Sequence, residues 1–313
     1  MRIVFFGTAA FAVPSLERLI GDGAHTMRCV TQPARPQGRG LVVRHSPVHS
    51  AANRLGLPVE EAASLQSLGP SLQRFEPDLG VVISYGQLIP SAVLQMPRHG
   101  MLGVHPSLLP TYRGASPIVW TILNADQMTG VTIFRLNDRW DAGDIALQRE
   151  VAVDPQDTTA SLSQRLAARG AELLVEAVEG LERGTLTFRS QEERLATYTP
   201  KLTKADGRID WQASASSIDR LIRATTPWPG ATTHWHGQSL KLLVARGERH
   251  DQTGRGQPGE VLSASPEGLV VATGEGTLVI HELQLAGRRR MTIKEFLAGH
   301  QIQVGEILGV DSP

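Results

Sequence analysis

His105 and Asp141 are the two residues of this 313-residue chain whose types and settings best suit the movement of a proton. His105 ends the apolar run Met101-Leu102-Gly103-Val104 and is followed by Pro106-Ser107-Leu108-Leu109-Pro110 and Thr111-Tyr112-Arg113-Gly114. Two prolines so close together forbid a helix, and each biases the residue before it towards extended geometry. His105 is therefore expected to end a strand and open a stiff loop, which is where open α/β sheets keep their chemistry. Asp141 lies in Arg139-Trp140-Asp141-Ala142-Gly143-Asp144. An imidazole exchanges protons near neutral pH, and a neighbouring carboxylate can fix its tautomer. No nucleophile accompanies the pair: Cys29 is remote in sequence and Ser107 sits in no G-x-S-x-G elbow. Direct acyl transfer to an incoming amine fits these residue types better than a covalent intermediate. From position alone, a strand-end histidine with a purely structural hydrogen bond is the competing reading.

The elements that must carry this pair follow from hydrophobic periodicity. Residues 2–6 are a short apolar run stopped by Gly7-Thr8, after which Phe11, Val13, Leu16, Leu19 and Ile20 recur at helical spacing. The turn between them has one glycine where a dinucleotide fingerprint needs three, which argues against a nicotinamide cofactor. Residues 27–31 and 79–83 are apolar strands of the kind a parallel sheet buries on both faces, with Leu65, Leu68 and Leu72 marking a helix between them. A helix at 115–124, strands at 129–135 and 146–153, and a long helix capped by Asp157 complete the pattern. Strands alternating with helices predict a doubly wound, Rossmann-like α/β domain over residues 1–183. Within it, residues 32–47 hold Arg35, Arg39 and Arg44 and no acidic residue, which makes them either a solvated turn or a mobile basic loop aimed at phosphate. His45 and His49 are four residues apart, but Pro47 separates them and no carboxylate or cysteine is adjacent, so no metal is expected.

Residues 184–207 are polar and without period, and are expected to be a linker. Beyond it the character changes. One helix at 214–224 precedes five short strands punctuated by glycine turns, which predicts a small antiparallel, OB-like β-barrel over residues 208–313. Lysine plus arginine equals aspartate plus glutamate, 31 each, so contact with a polyanion must come from local clusters such as Gly287-Arg288-Arg289-Arg290. A hydrophobic share of 41% with 20% charged residues excludes a fibre or a disordered chain. A single cysteine excludes an intramolecular disulfide and a thiolate metal cluster and fits a reducing, cytoplasmic setting. The five apolar residues before Gly7 are too few for a signal peptide, and no apolar run is long enough to span a membrane.

The stretch from Gly103 to Gly114, with Thr129-Gly130-Val131-Thr132 and Trp140-Asp141-Ala142-Gly143-Asp144, closely resembles the formyltetrahydrofolate-dependent formyltransferases. Gly38-Arg39-Gly40, Tyr198-Thr199-Pro200-Lys201-Leu202, Arg208-Ile209-Asp210-Trp211, Pro227-Trp228-Pro229-Gly230 and residues 287–291 look specifically like the branch of that family that acts on initiator tRNA. The resemblance runs nearly end to end. It implies that the α-amino group of methionine on methionyl initiator tRNA takes the formyl group of 10-formyltetrahydrofolate, for translation initiation, in a monomer that uses no metal and no membrane.

In that family an asparagine and a histidine stabilise the developing oxyanion, and an aspartate supports the histidine and the proton transfers. His105 and Asp141 match, but the asparagine's position is Gly103. Loss of one oxyanion donor typically costs about 3–4 kcal/mol of transition-state stabilisation. Ala9 likewise stands where the family usually has proline. The resemblance further implies that Ser107, Leu108, Leu109 and Pro110 contact the folate and that Tyr85 and Gly86 border the pteridine pocket. It places Arg39 at the acceptor-stem end, and Lys201, Lys204, Arg208, Arg288, Arg289 and Arg290 along a track of tRNA phosphates. Two alternatives stay open: a catalytically impaired folate- or tRNA-binding relative, supported by Gly103, and a formyltransferase acting on a nucleotide-linked amino sugar.

Overall fold

A computed structural model describes residues 1–21, 23–37, 42–248 and 256–309. The chain forms two compact units. The first comprises Met1–Pro117, Met128–Ala152 and Ser163–Pro200; the second comprises Ile118–Gln127, Val153–Leu162 and Lys201–Pro313.

The strands of the first unit are β1 (Arg2–Gly7), β2 (Thr26–Thr31), β3 (Arg35–Gln37), β4 (Val42–Arg44), β5 (Val59–Glu61), β6 (Leu79–Ile83), β7 (Met101–His105), β8 (Arg113–Gly114), β9 (Met128–Arg135), β10 (Ile145–Ala152) and β11 (Tyr198–Thr199). The helices up to residue 182 are α1 (Val13–Ile20), α2 (Pro47–Arg54), α3 (Gly69–Phe75), α4 (Ser91–Leu94), α5 (Pro117–Leu123) and α6 (Thr159–Glu182). Seven strands form one sheet in the order β10-β9-β7-β6-β1-β2-β5. The five from β5 to β7 are parallel, and β9 and β10 extend the sheet antiparallel. Ile3, Val4, Phe5 and Phe6 are all fully buried, as strands covered on both faces require.

From β1 the chain builds outward through β2 and β5, then returns to lay β6 and β7 on the other side of β1. The order thus reverses between β1 and β6, and in such sheets the crevice beyond the strand ends at this switch point receives the ligand. The two turns that face it are tied together, since the Thr8 hydroxyl donates to the Tyr85 carbonyl at 3.2 Å and the Ala9 amide to the Ser84 carbonyl at 3.4 Å. His105 ends β7, the strand beside β6.

Three details differ from the expectations above. Residues 32–47 carry the short antiparallel hairpin β3–β4, in which Arg35 opposes Arg44. At α6 the cap is Thr158: its Oγ1 accepts from the Ser161 amide at 3.2 Å while the Ser161 hydroxyl accepts from the Thr158 amide at 3.0 Å. Asp157 instead accepts from the Asp154 amide and the Ser161 hydroxyl, each at 2.8 Å, and closes the turn before the helix. In the stretch 184–207, Arg189 bridges to Ile145 and β11 pairs in parallel with β8.

The second unit contains α7 (Ala215–Thr225), β12 (Ala231–Trp235), β13 (Gln238–Glu248), β14 (Val261–Ser265), β15 (Gly268–Ala272), β16 (Thr277–Leu285), β17 (Met291–Thr292) and α8 (Ile293–Leu297). Among the described residues its strands pair antiparallel, in the order β12-β13-β16-β15-β14 with β17 also on β16, and Arg208 adds a single parallel bridge to Thr232 of β12. The Ser214 hydroxyl caps α7 by accepting from the Ser217 amide at 3.2 Å. Ile218 and Ile222 of that helix share a core with Trp211, Leu240, Leu278 and Ile280. Among the described residues no helix is long and apolar enough to cross a membrane.

Candidate active site

His105 is buried at the end of β7, and its Nε2 lies 2.9 Å from the Tyr112 carbonyl oxygen. A carbonyl only accepts, so Nε2 carries a proton and Nδ1 is the nitrogen left for chemistry. Nδ1 faces Asp141 Oδ2 at 3.6 Å, and the same oxygen accepts the Gly114 amide at 2.8 Å. The pair singled out from the sequence is therefore brought together, with the loop between its members curled around the imidazole. Both turning points hold a side-chain-bearing residue in the left-handed region, Tyr112 at φ 60° and Asp141 at φ 49°. Such residues cost about 1–3 kcal/mol each and persist where the surroundings over-determine them.

Those surroundings are visible. The Thr132 hydroxyl, opposite His105 in the β7–β9 register, donates to the Ser107 carbonyl at 2.7 Å and accepts the Leu109 amide at 3.1 Å. Gln148 Nε2 on β10 reaches the Leu109 carbonyl at 2.8 Å and Thr132 Oγ1 at 3.0 Å. Arg113 is wholly buried; its guanidinium meets Gln191 Oε1 at 2.8 Å, Glu193 Oε2 at 3.0 Å and the Tyr198 hydroxyl at 3.1 Å. Burial pulls the Arg113 guanidinium down, but the bonds to Glu193 and Tyr198 outweigh it and hold it above its ordinary value. Gln191 Nε2 then donates to the Asp141 carbonyl at 2.8 Å and to the Gly143 carbonyl at 2.7 Å. A Cβ at Gly143 would stand 1.7 Å from the Arg135 carbonyl oxygen, so only glycine lets the Asp141 turn pass this close to β9.

Gly103 shares the face of β7 with His105 and opposes Phe134 across the sheet. A Cβ at 103 would lie 2.5 Å from Phe134 Cε1 and 2.8 Å from Leu136 Cδ1. The phenyl ring fills the space an asparagine side chain would need, and its edge meets the His105 ring at a centroid distance of 6.5 Å.

Of the residues expected to contact folate, Ser107 and Leu109 are buried, whereas Leu108 and Pro110 are partly exposed. The Ser107 hydroxyl proton is spent on the Thr111 carbonyl at 2.5 Å. Tyr85 and Gly86 sit at the switch point. The Tyr85 carbonyl accepts from Gln32 Nε2 at 2.7 Å, while its ring packs edge-on against Phe6. The Tyr85 hydroxyl is buried without a hydrogen-bond partner among the described residues, and burial pushes it up to about 12. The Tyr85 side chain belongs to the apolar core with Leu65, Leu68 and Leu72, so what Tyr85 offers the switch point is its backbone.

The expected tRNA contacts are less uniform. Arg39 lies outside the described residues. Lys201, Lys204 and Arg208 are exposed in the second unit. Arg289 pairs with Glu295 at 2.8 Å and Arg290 pairs closely with Glu282. Sequence reasoning missed Gln148 and Gln191 altogether and quoted Thr132 only as part of a motif. It also discounted His45 and His49 for want of a carboxylate, which the fold supplies as Glu61 from β5.

Comparison with known proteins accounts for both units. Residues 1–178 match the family described as Formyl transferase, and residues 201–301 match Formyl transferase, C-terminal domain. The methionyl-tRNA formyltransferase of Roseiflexus castenholzii is 44% identical over 312 residues, covering 99% of both chains. That of Geobacter metallireducens is 40% identical over 311 residues, again covering 99% of each. Among solved structures, HypX from Aquifex aeolicus in complex with tetrahydrofolic acid shares the fold with a TM-score of 0.69 at 21% identity; the match covers 98% of this chain and 50% of that longer one. With both modules matched in order and full-length relatives at 40% and 44% identity, the chain belongs to the formyl transferases, in the methionyl-tRNA formyltransferase family.

Proposed function

We propose that the protein transfers the formyl group of 10-formyltetrahydrofolate to the α-amino group of methionyl initiator tRNA in the cytoplasm. The observation that carries the reading is the His105–Asp141 pair at the end of β7, beside the switch-point crevice, in a chain related to methionyl-tRNA formyltransferases over its whole length. Bound 10-formyltetrahydrofolate supplies an activated formyl carbon. His105 has Nε2 tied to the Tyr112 carbonyl, so Nδ1, 3.6 Å from Asp141 Oδ2, is the nitrogen that meets the reacting groups. As the amine attacks the formyl carbon and the bond from that carbon to the folate nitrogen breaks, the His105–Asp141 pair takes the proton that the amine loses, and the departing nitrogen takes up a proton in its place. The closed loop around the imidazole keeps bulk water from competing with the amine.

Residues 1–183 form the catalytic part in this reading, 184–207 the connection and 208–313 the part that holds tRNA. Leu108, Pro110, Tyr85 and Gly86 line the folate side, and Arg39, Lys201, Lys204, Arg208 and Arg288 meet phosphates. Arg289 and Arg290 join them by exchanging their carboxylate partners. The protein acts as a monomer. The test is formyl transfer to methionyl initiator tRNA and, in parallel, to a nucleotide-linked amino sugar, with the chain as it stands and with Arg39→Glu. Transfer to the tRNA that Arg39→Glu abolishes is the expected result; transfer to the sugar, unaffected by Arg39→Glu, overturns the choice of acceptor. Gly103 favours one second reading, a slow or silent enzyme that still binds tRNA. It prevails if tRNA is bound but not formylated.

A further inference from the structure

His45 directly follows β4, His49 lies in the first turn of α2, and Glu61 ends β5. Three separate elements thus bring two imidazoles and a carboxylate to one point, with one donor atom from each within 4.8 Å of the others. His45 Nδ1 is 2.7 Å and His49 Nδ1 2.8 Å from the same Glu61 oxygen, Oε1. The two rings are stacked, 3.9 Å between centroids and 26° between planes, so both Nδ1 atoms look the same way. Their backbone is fixed independently. The Ser46 hydroxyl caps α2 by accepting the His49 amide at 3.0 Å and is itself 2.6 Å from Thr31 Oγ1.

A hydrogen-bonded trio does not fully account for this arrangement. His45 makes a hydrogen bond to Oε1, but the His49 contact lacks hydrogen-bond direction. Its Nδ1 is left shut away from water with no hydrogen-bond partner among the described residues. A buried nitrogen in that state needs an explanation, and a cation shared with the carboxylate provides one. Two imidazoles and one carboxylate are a common donor set of zinc sites that keep one position for water. Zinc–ligand lengths of about 2.0–2.1 Å place donors roughly 3.4 Å apart in a tetrahedron, so each ring must retreat by only about half an ångström. The Glu61 carboxylate is also oriented from outside the trio, because its other oxygen accepts the Ala34 amide at 3.4 Å.

We propose that His45, His49 and Glu61 bind a divalent transition-metal cation of the zinc type, with water completing its coordination. The cation ties the end of β4 to β5 and α2. It thereby clamps the stem of the β3–β4 hairpin, in which Arg35 opposes Arg44 and whose connecting residues include Arg39. This site is separate from the His105 chemistry and does not depend on the acceptor that the enzyme uses.

The test strips the full-length protein with a chelator, dialyses it against Zn2+, and measures zinc per chain and melting temperature with and without Zn2+. One zinc per chain and a higher melting temperature are expected. His49→Ala and the near-isosteric Glu61→Gln should each weaken zinc binding by about a hundredfold or more. His236→Ala, whose ring meets Glu306 at 3.0 Å in the second unit, should leave uptake unchanged. Co2+ should give visible ligand-field bands that both site variants lose. If the unaltered protein takes up no zinc, or if folded Glu61→Gln and His49→Ala, checked by circular dichroism, bind it as the unaltered protein does, the trio holds no metal and the proposal falls.

Discussion

In the loop after β7, Arg113 is buried and spends its guanidinium on Gln191, Glu193 and Tyr198; in the turn before β17, Arg289 and Arg290 stand in solvent, each against one carboxylate. The buried fork fixes geometry. Through Gln191 it reaches the carbonyl of Asp141, so the charge of one arginine is converted into the placement of the Asp141 turn. The exposed pairs fix little, since such pairs are screened by salt and give up side-chain freedom to form. They can, however, be exchanged for phosphate at small cost. One region of the molecule is built to stay put, the other to let go and take hold again.

The largest effects should fall on the fixed region. His105→Ala and Asp141→Asn should lower the rate of formyl transfer by roughly 10²–10⁴ while leaving the melting temperature close to that of the unaltered protein. A rate within severalfold of the original would remove the pair from the mechanism. Arg113→Met should cost about 3 kcal/mol in urea denaturation, because it opens a buried hydrogen-bonded network, and should slow transfer as Gln191 loosens. Arg289→Met should hardly move the same transition; equal effects from the two would erase the contrast drawn here.

Gly103→Asn should destabilise by about 1–3 kcal/mol through crowding against Phe134, with no gain in rate. In a Phe134→Ala background the amide has room, and the rate should rise above that of Phe134→Ala alone. A gain on the order of a hundredfold from Gly103→Asn by itself, the worth of one oxyanion donor, would mean that the ring yields freely.

The smallest effect lies in the exchangeable region. The Arg289 side chain and the Thr292 amide hold the Glu295 carboxyl at about 2, below its ordinary 4.5. Because the folded value is the lower one, the contribution of Glu295 is complete above pH 4.5 and is lost as the pH falls towards 2. Glu295→Gln should flatten that part of the acid-unfolding curve; an unchanged curve would show the pairing to be immaterial.

Much of the fixed region was legible because prolines and glycines constrain the backbone locally. Pro106 and Pro110 gave the stiff loop, while the close pass of Gly143 beside Arg135 showed only in the fold. The central strands β1, β2 and β6 were legible because burial on both faces leaves unbroken apolar runs, whereas the short edge strand β5, with two glutamates and no fully buried residue, was not read as a strand. What supports the loop was not legible. Gln191 lies 50 residues from Asp141, and a glutamine in a polar stretch carries no local sign of its target. Glu61 escaped for the same reason, since it reaches His45 and His49 across a sheet edge. The β3–β4 pair was hidden because its strands are three residues each and Arg35, Pro36, Val43 and Arg44 face solvent. Phe134 opposite Gly103 could have been found from the register of β7 on β9, but an antiparallel partner for β7 is not encoded in either strand alone.

The fit of the Phe134 ring over Gly103 also makes the two positions a coupled pair. A side chain at 103 needs the ring to swing aside, and a smaller residue at 134 makes room for one. The effect of a change at either position is therefore set by the residue at the other.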